Sequence, residues 1–185
     1  LRDSLSASAV DKLLHEAHLG HEVHVSSGEN REIAYRNGFF FQQESVVAMR
    51  WNAARLDPGY FIELPGGRTI EANLVELDAQ IRNKICSGGF SPTRCVYLDA
   101  AAVSLPLTIR HWQDGDRYRP LGAPGTRKLQ DCFTDAKISP VERRSRPVVQ
   151  SEDGSVLWCP GLPPADDAKI GPETPRALRL TYRRH

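Results

Sequence analysis

The stretch Arg110-His111-Trp112-Gln113-Asp114-Gly115-Asp116-Arg117-Tyr118-Arg119-Pro120-Leu121-Gly122 changes its chemistry several times in a short span. Leu107-Thr108-Ile109, just ahead of it, alternates apolar and polar residues as a half-buried strand does. Asp114-Gly115-Asp116 is turn chemistry, and Pro120 and Gly122 punctuate a loop. Beyond that loop the spacing predicts a basic amphipathic helix from Thr126 to Ala136, with Leu129, Cys132, Phe133 and Ala136 on one face. A strand, a tight turn and one short helix, with more strands on either side, predict an α+β fold rather than regular βαβ alternation.

Downstream, Ser139-Pro140 is expected to stop the helix. Pro147–Val149 and Val156–Trp158 read as strands joined in a hairpin at Asp153-Gly154, and Ala177–Tyr182 as a last strand. Upstream, Val10, Leu13, Leu14 and Ala17 carry a helical period, with Ser6 or Ser8 as N-cap and Gly20 as terminator. Val23 and Val25 then alternate, Gly28 turns the chain, Ile33 and Tyr35 continue, and Asn37-Gly38 is a two-residue hairpin signal. Residues 39–42 and 46–51 read as further strand. Pro58-Gly59, Pro65-Gly66-Gly67 and Gly88-Gly89 leave short strands at Tyr60–Leu64, Thr69–Val75 and Cys95–Leu98. The expectation is two small units of mostly antiparallel strands with few helices: a strand-rich unit over 1–103 and a second over 104–185, meeting near Val103.

Composition narrows the class. Of 185 residues, 40% are hydrophobic and 25% charged, the balance of a folded globular chain rather than a disordered one. No apolar run approaches the roughly 20 residues of a membrane span, and no secretory signal pattern opens the chain. The missing initiator methionine suggests a start inside a longer protein or after processing. Cys86, Cys95, Cys132 and Cys159 form no C-x-x-C pair, so free thiols, a cytoplasmic setting and no metal site are expected. From Ser104 onward there are fourteen Lys/Arg against ten Asp/Glu, and the preceding residues hold ten against thirteen. Between Arg117 and Arg146 the balance is eight to three. The C-terminal half is therefore the half suited to face a polyanion.

Several constellations carry two readings. His15, His18, His21 and His24 recur every third residue, but Gly20 interrupts the helix and a following strand sends His21 and His24 to opposite sides, which argues against a metal cluster. Asp114 and Asp116 are either a catalytic or cation-binding pair or turn formers that orient Arg117 and Arg119. The second role is favoured, with Gly115 and Gly122 supplying the turns, and no catalytic residue is assigned. Arg117, Arg119, Lys128, Lys137, Arg143 and Arg144 remain as phosphate ligands, and arginine's planar fork suits two phosphate oxygens. Their alternative is an ordinary solvated basic face. Tyr118, Phe133 and Trp158 are read as structural.

The run Asp114-Gly-Asp116-Arg117…Pro120-Leu-Gly122, then Lys128-Leu129…Asp131…Phe133, and on through Lys137, Pro140, Arg143, Pro147-Val-Val149, Trp158 and Gly161, resembles the C-terminal domain of bacterial tRNA(Ile)-lysidine synthases. The part before it, with Leu64-Pro65-Gly66-Gly67, is similar to the middle region of these enzymes. A departure is Gly161-Leu162-Pro163, where many members have an arginine after Gly-Leu. The family is a ligase of tRNA processing: it adenylates the wobble cytidine of an isoleucine tRNA with ATP, and lysine displaces AMP to give lysidine. The resemblance implies that this segment binds tRNA as an accessory, with no cofactor of its own and no membrane contact, while ATP belongs to an N-terminal adenylating domain. A homodimer is left open. Ser87-Gly88-Gly89-Phe90-Ser91-Pro92 is similar to the family's pyrophosphate loop, but Ser91 and Pro92 replace its Asp and final Ser and a strand follows, so it reads as a turn. Two other classes stay on the table: a protein-interaction module without RNA contact, and a hydrolase using Asp114 and Asp116.

Overall fold

The computed structural model describes residues 7–21, 23–27, 31–36, 38–44 and 51–184. It is an α+β fold in which the chain divides into two compact units, Leu1–Met49 and Arg50–His185. In the first unit a helix α1 (Ala7–His18) lies against β1 (Val23–Ser27) and β2 (Arg31–Arg36), and β3 (Phe39–Glu44) completes an antiparallel sheet in the order β1-β2-β3. Leu13 and Val23 are buried between helix and sheet. Gly20, at φ +74°, ends α1 as its sequence suggests. Arg36 pairs with Phe39 at the junction of β2 and β3; Asn37, Ser6 and Gly28 lie outside the described residues, as does the expected strand over 46–51 except Trp51, which is not in a strand.

The second unit holds β4 (Ala54–Leu56), β5 (Tyr60–Leu64), β6 (Arg68–Glu76), α2 (Ala79–Cys86), β7 (Cys95–Asp99), β8 (Leu107–His111), β9 (Arg117–Tyr118) and β10 (Arg127–Lys128). It continues with α3 (Leu129–Asp135), α4 (Pro140–Ser145), β11 (Pro147–Gln150), β12 (Val156–Trp158) and β13 (Arg176–Arg184). Two four-stranded antiparallel sheets, β12-β11-β8-β4 and β5-β6-β13-β7, carry the core. Leu107, Ile109, Val149 and Trp158 from the first meet Ile70, Ala72, Leu98, Leu178 and Leu180 from the second in one apolar cluster. Val148, Val156 and Cys159 point the other way and are covered by Leu129, Cys132 and Phe133 of α3. Alternation along β11 thus places Val148 and Val149 in different layers, both fully buried.

Three expectations change. The compact units divide at Met49/Arg50 and not near Val103, because strands on either side of Val103 pair with one another: β4 with β8, and both β6 and β7 with β13. The helix expected from Thr126 begins at Leu129, because Arg127 and Lys128 pair with Tyr118 and Arg117. Ser139-Pro140 ends nothing; Ser139 caps α4, its side chain accepting from the Glu142 N–H while the Glu142 carboxylate accepts from the Ser139 N–H. Among the described residues, no helix is long and apolar enough to cross a membrane.

Candidate nucleic-acid interface

The acidic Gly turn is built around one ion pair. The Asp116 N–H donates to the Gln113 carbonyl at 3.1 Å, and Gly115 sits at φ +94°, a conformation that favours glycine. The Asp116 carboxylate accepts the Gln113 N–H at 2.8 Å and both terminal nitrogens of Arg110, at 2.8 and 2.9 Å. Arg110 also donates to Gln150 Oε1 at 2.9 Å and the His111 carbonyl at 2.8 Å. Both side chains of the pair are nearly withdrawn from water, at 12% and 10% exposure. The Asp116 carbonyl then accepts the Leu129 N–H at 2.8 Å, satisfying a donor at the start of α3 that Lys128, the N-cap, leaves without a side-chain partner. Asp116 therefore orients Arg110, and not Arg117 and Arg119 as the sequence suggests. Asp114 occupies an exposed turn position.

From this turn β9 and β10 run as a two-residue ladder. Tyr118 points inward, its hydroxyl donating to the Pro163 carbonyl at 3.1 Å, and burial holds its phenol well above the ordinary value. Arg117 and Lys128 point outward and stand directly opposite one another. Like charges so placed repel. Neither forms an ion pair among the described residues.

The other expected cations separate into two kinds. Arg119 donates to the Ala123 carbonyl at 3.1 Å and pairs with Asp166 at 3.3 Å and Asp167 at 3.9 Å, while remaining 40% exposed. The Gly122 N–H, with Lys169 and Arg119 adding to it, holds the Asp166 carboxyl below the usual carboxylate range. Arg143 clamps α4 to the end of α3: it donates to the Ile138 carbonyl at 2.8 Å and Thr134 Oγ1 at 3.2 Å, and its guanidinium lies 5.7 Å from the Phe133 ring centre. Lys137 and Arg144 are exposed without ion pairs among the described residues. Lys137 occupies the left-handed position, φ +55°, that closes α3, with Lys137 N–H bonded to the Thr134 carbonyl and Ile138 N–H to the Phe133 carbonyl. Glycine usually stands there, so a lysine holds its charge in place at a conformational cost.

The remaining sequence candidates resolve by geometry. The glycine loop after Ser87 follows α2 rather than opening a helix. Its amides are spent on that helix, Gly88 N–H on the Ile85 carbonyl and Gly89 N–H on the Lys84 carbonyl, so the loop does not fit a nucleotide pyrophosphate. His15 and His18 lie exposed on or at the end of α1, His21 pairs with Glu16 at 3.0 Å, and the His24 side chain is outside the described residues. Phe133 and Trp158 are fully buried, the Trp158 indole donating to the Pro92 and Leu162 carbonyls. All four cysteines are free thiols.

Fold and surface define a class: a small domain of two packed antiparallel sheets with a helix on one of them and an exposed cationic hairpin beside that helix. Residues 107–180 match the family model described as the TilS substrate C-terminal domain. A crystal structure of a TilS C-terminal domain is 30% identical, with a TM-score of 0.59, the alignment covering 72% of this chain and 98% of that one. The chain belongs to this TilS C-terminal domain family. The tRNA(Ile)-lysidine synthase of Geobacillus kaustophilus is 48% identical over 65 residues, covering 35% of this chain and 14% of that protein. That of Symbiobacterium thermophilum is 28% identical over 166 residues, covering 89% and 33%. The chain thus spans between 14% and a third of the length of such relatives. An N-terminal fragment of the Pyrococcus horikoshii phenylalanyl-tRNA synthetase beta-subunit shares the fold alone, at 14% identity and a TM-score of 0.50.

Proposed function

We propose that this chain is the tRNA-gripping part of a tRNA(Ile)-lysidine synthase, a cytoplasmic ligase that uses ATP and lysine to convert the wobble cytidine of an isoleucine tRNA to lysidine. In this reading the segment positions the tRNA and takes no part in the bond-making step, and ATP is handled by another part of the enzyme. One observation carries it: Arg117 and Lys128 face each other across an exposed ladder, an arrangement that repels itself and is relieved by a polyanion. Lys137 and Arg144 extend the unneutralised charge on the flanking helix ends. Contacts to phosphate fix position and orientation without reading base edges, and helical RNA is recognised largely through shape and backbone.

Binding of an isoleucine tRNA, measured across a series of salt concentrations, tests the reading. The expected result is a log affinity that falls linearly with log salt, with a shallower slope in Arg117→Gln/Lys128→Gln. Binding that ignores both salt and the substitutions would sink it and return the chain to the class of protein-interaction modules. In a full-length relative whose equivalent positions carry the same changes, lysidine formation should show a raised KM for tRNA with kcat at saturating tRNA near wild type.

A further inference from the structure

A second concentration of guanidinium groups lies away from the hairpin, at one end of the sheet β5-β6-β13-β7. The antiparallel order brings the start of β6, the end of β13 and the start of β7 to the same end. Register sets Arg184 opposite Arg68. The Tyr182 N–H donates to the Arg94 carbonyl at 2.8 Å, fixing Arg94 beside them. Arg68 in turn donates to the Ser145 carbonyl at 3.3 Å, which ties the last residue of α4, and Arg146 after it, to the same edge. Together they surround a cavity of about 560 Å³ walled by Arg68, Arg94, Arg146, Arg183 and Arg184, with Glu142 as the carboxylate in the wall.

Glu142 does little to neutralise those cations. One of its oxygens accepts from the Ser139 N–H and hydroxyl at 3.2 Å each, and the other stands 3.9 Å from Arg146. Arg183 reaches Glu71 at 3.7 Å, whereas Arg94 and Arg184 are exposed and make no ion pair among the described residues. The Tyr182 phenol in the same wall reports the field: burial raises it, and Arg68, Arg146 and Arg184 pull it back. A ladder that sets arginine against arginine is unfavourable by itself, and a partly enclosed space strengthens every charge that faces it. Four of the five arginines lie outside the residues matched to the family model.

We infer that this cavity is a phosphate-binding pocket, formed where Arg68, Arg94 and Arg184 converge from three strand ends, with Arg183, held by Glu71, and Arg146, held by the Pro160 carbonyl, completing its wall, and that it seats a backbone phosphate of the bound RNA. Several guanidinium forks suit a tetrahedral anion with oxygens on every side. The phosphate chemistry stands on the cavity alone; RNA as its source rests on the function proposed above.

The test uses the 185-residue chain, titrated with sodium pyrophosphate by calorimetry and with tRNA by anisotropy over a salt series. Arg94→Gln/Arg184→Gln is compared with wild type and with Arg117→Gln/Lys128→Gln. The pocket substitutions are expected to weaken pyrophosphate about tenfold or more and to remove about one to two phosphate contacts from the tRNA salt slope. The hairpin substitutions should leave pyrophosphate binding unchanged. Loss of pyrophosphate binding with tRNA binding intact would keep the pocket and overturn RNA as its source, pointing to a free phosphorylated compound. If neither ligand responds to the pocket substitutions, the pocket is overturned. Wild type that binds pyrophosphate in the pocket but no tRNA would sink the proposed function and leave the pocket standing. Arg94→Gln alone keeps the comparison decisive if the double variant does not fold, as judged by circular dichroism.

Discussion

Arg110 and Arg117 flank the same acidic turn, and the fold uses them in opposite ways. Arg110 lies under the turn, where its guanidinium is saturated by Asp116, Gln150 and the His111 carbonyl and is nearly withdrawn from water. Arg117 lies on the outer side of the following ladder and faces another cation. One charge is consumed in making the turn, and the other is presented by it. The same division runs through the whole basic segment: Arg119, Arg127, Arg143 and Arg146 hold internal partners, while Arg117, Lys128, Lys137 and Arg144 have no ion pair among the described residues. A count of basic residues therefore overstates the surface a polyanion would meet.

The largest effect should come from breaking the consumed pair. Asp116→Asn removes the counter-charge and leaves Arg110 buried among neutral groups, a change worth about 3–5 kcal/mol when a buried pair loses one partner. Because the Asp116 carbonyl also anchors Leu129, the loss should reach α3. Chemical denaturation is the measurement, with an expected fall in unfolding free energy of that size. A variant as stable as wild type would mean that the turn does not depend on the pair.

The presented pair should behave inversely. Arg117→Gln/Lys128→Gln is expected to leave stability within about 0.5 kcal/mol of wild type, as surface substitutions usually do. For tRNA it should cost about one salt-slope unit per lost phosphate contact on helical regions. A variant that unfolds while its residual folded fraction binds tRNA normally would reverse the contrast.

Much of this contrast can be read from the sequence, and the missing part has a physical cause. The turn at Asp114-Gly115, the strands on either side and the hairpins at Gly38 and Gly154 follow from local chemistry, because period and turn residues act over a few positions. The capping box Ser139-Pro140-Val141-Glu142 was equally local, yet Pro140 reads as a stop unless Glu142 is read with it. Which cation meets which carboxylate depends on register between distant strands. Gln150 reaches Arg110 only because β11 pairs with β8, and Asp166 reaches Arg119 through the bridge between Pro120 and Ala165. The arginine cavity is the extreme case: Arg68, Arg94 and Arg184 converge because β13 inserts between β6 and β7. No charge count over a continuous window finds them; the adjacent Arg183-Arg184 is the only local trace.

Arg119 sits between the two kinds, exposed yet paired, and acid should move it toward the presented kind. Asp166 has a lowered carboxyl in the folded state, chiefly through the Gly122 N–H and then through Lys169 and Arg119. Its stabilising contribution is therefore complete above the unfolded value of about 3.9 and is lost as pH falls through the lower folded value. Thermal unfolding followed downward from pH 6 should show a decline below about pH 4 that is shallower in Asp166→Asn. An identical acid limb in both proteins would remove Asp166 as the source.

Lys137 refines the comparison at the smallest scale, because it is presented by backbone strain rather than by strand register. Its φ of +55° closes α3 with the two hydrogen bonds that normally accompany glycine. Lys137→Gly should relieve that strain and stabilise the domain by about 1 kcal/mol, partly offset by the greater freedom of glycine in the unfolded chain. If the lysine is retained for its charge, the same variant should bind tRNA more weakly and with a shallower salt slope while melting higher. Stability and binding would then move in opposite directions at a single residue, which a purely structural cap could not produce. A variant that melts higher and binds as well as wild type would assign Lys137 to the helix end alone and confine the presented surface to Arg117, Lys128 and Arg144.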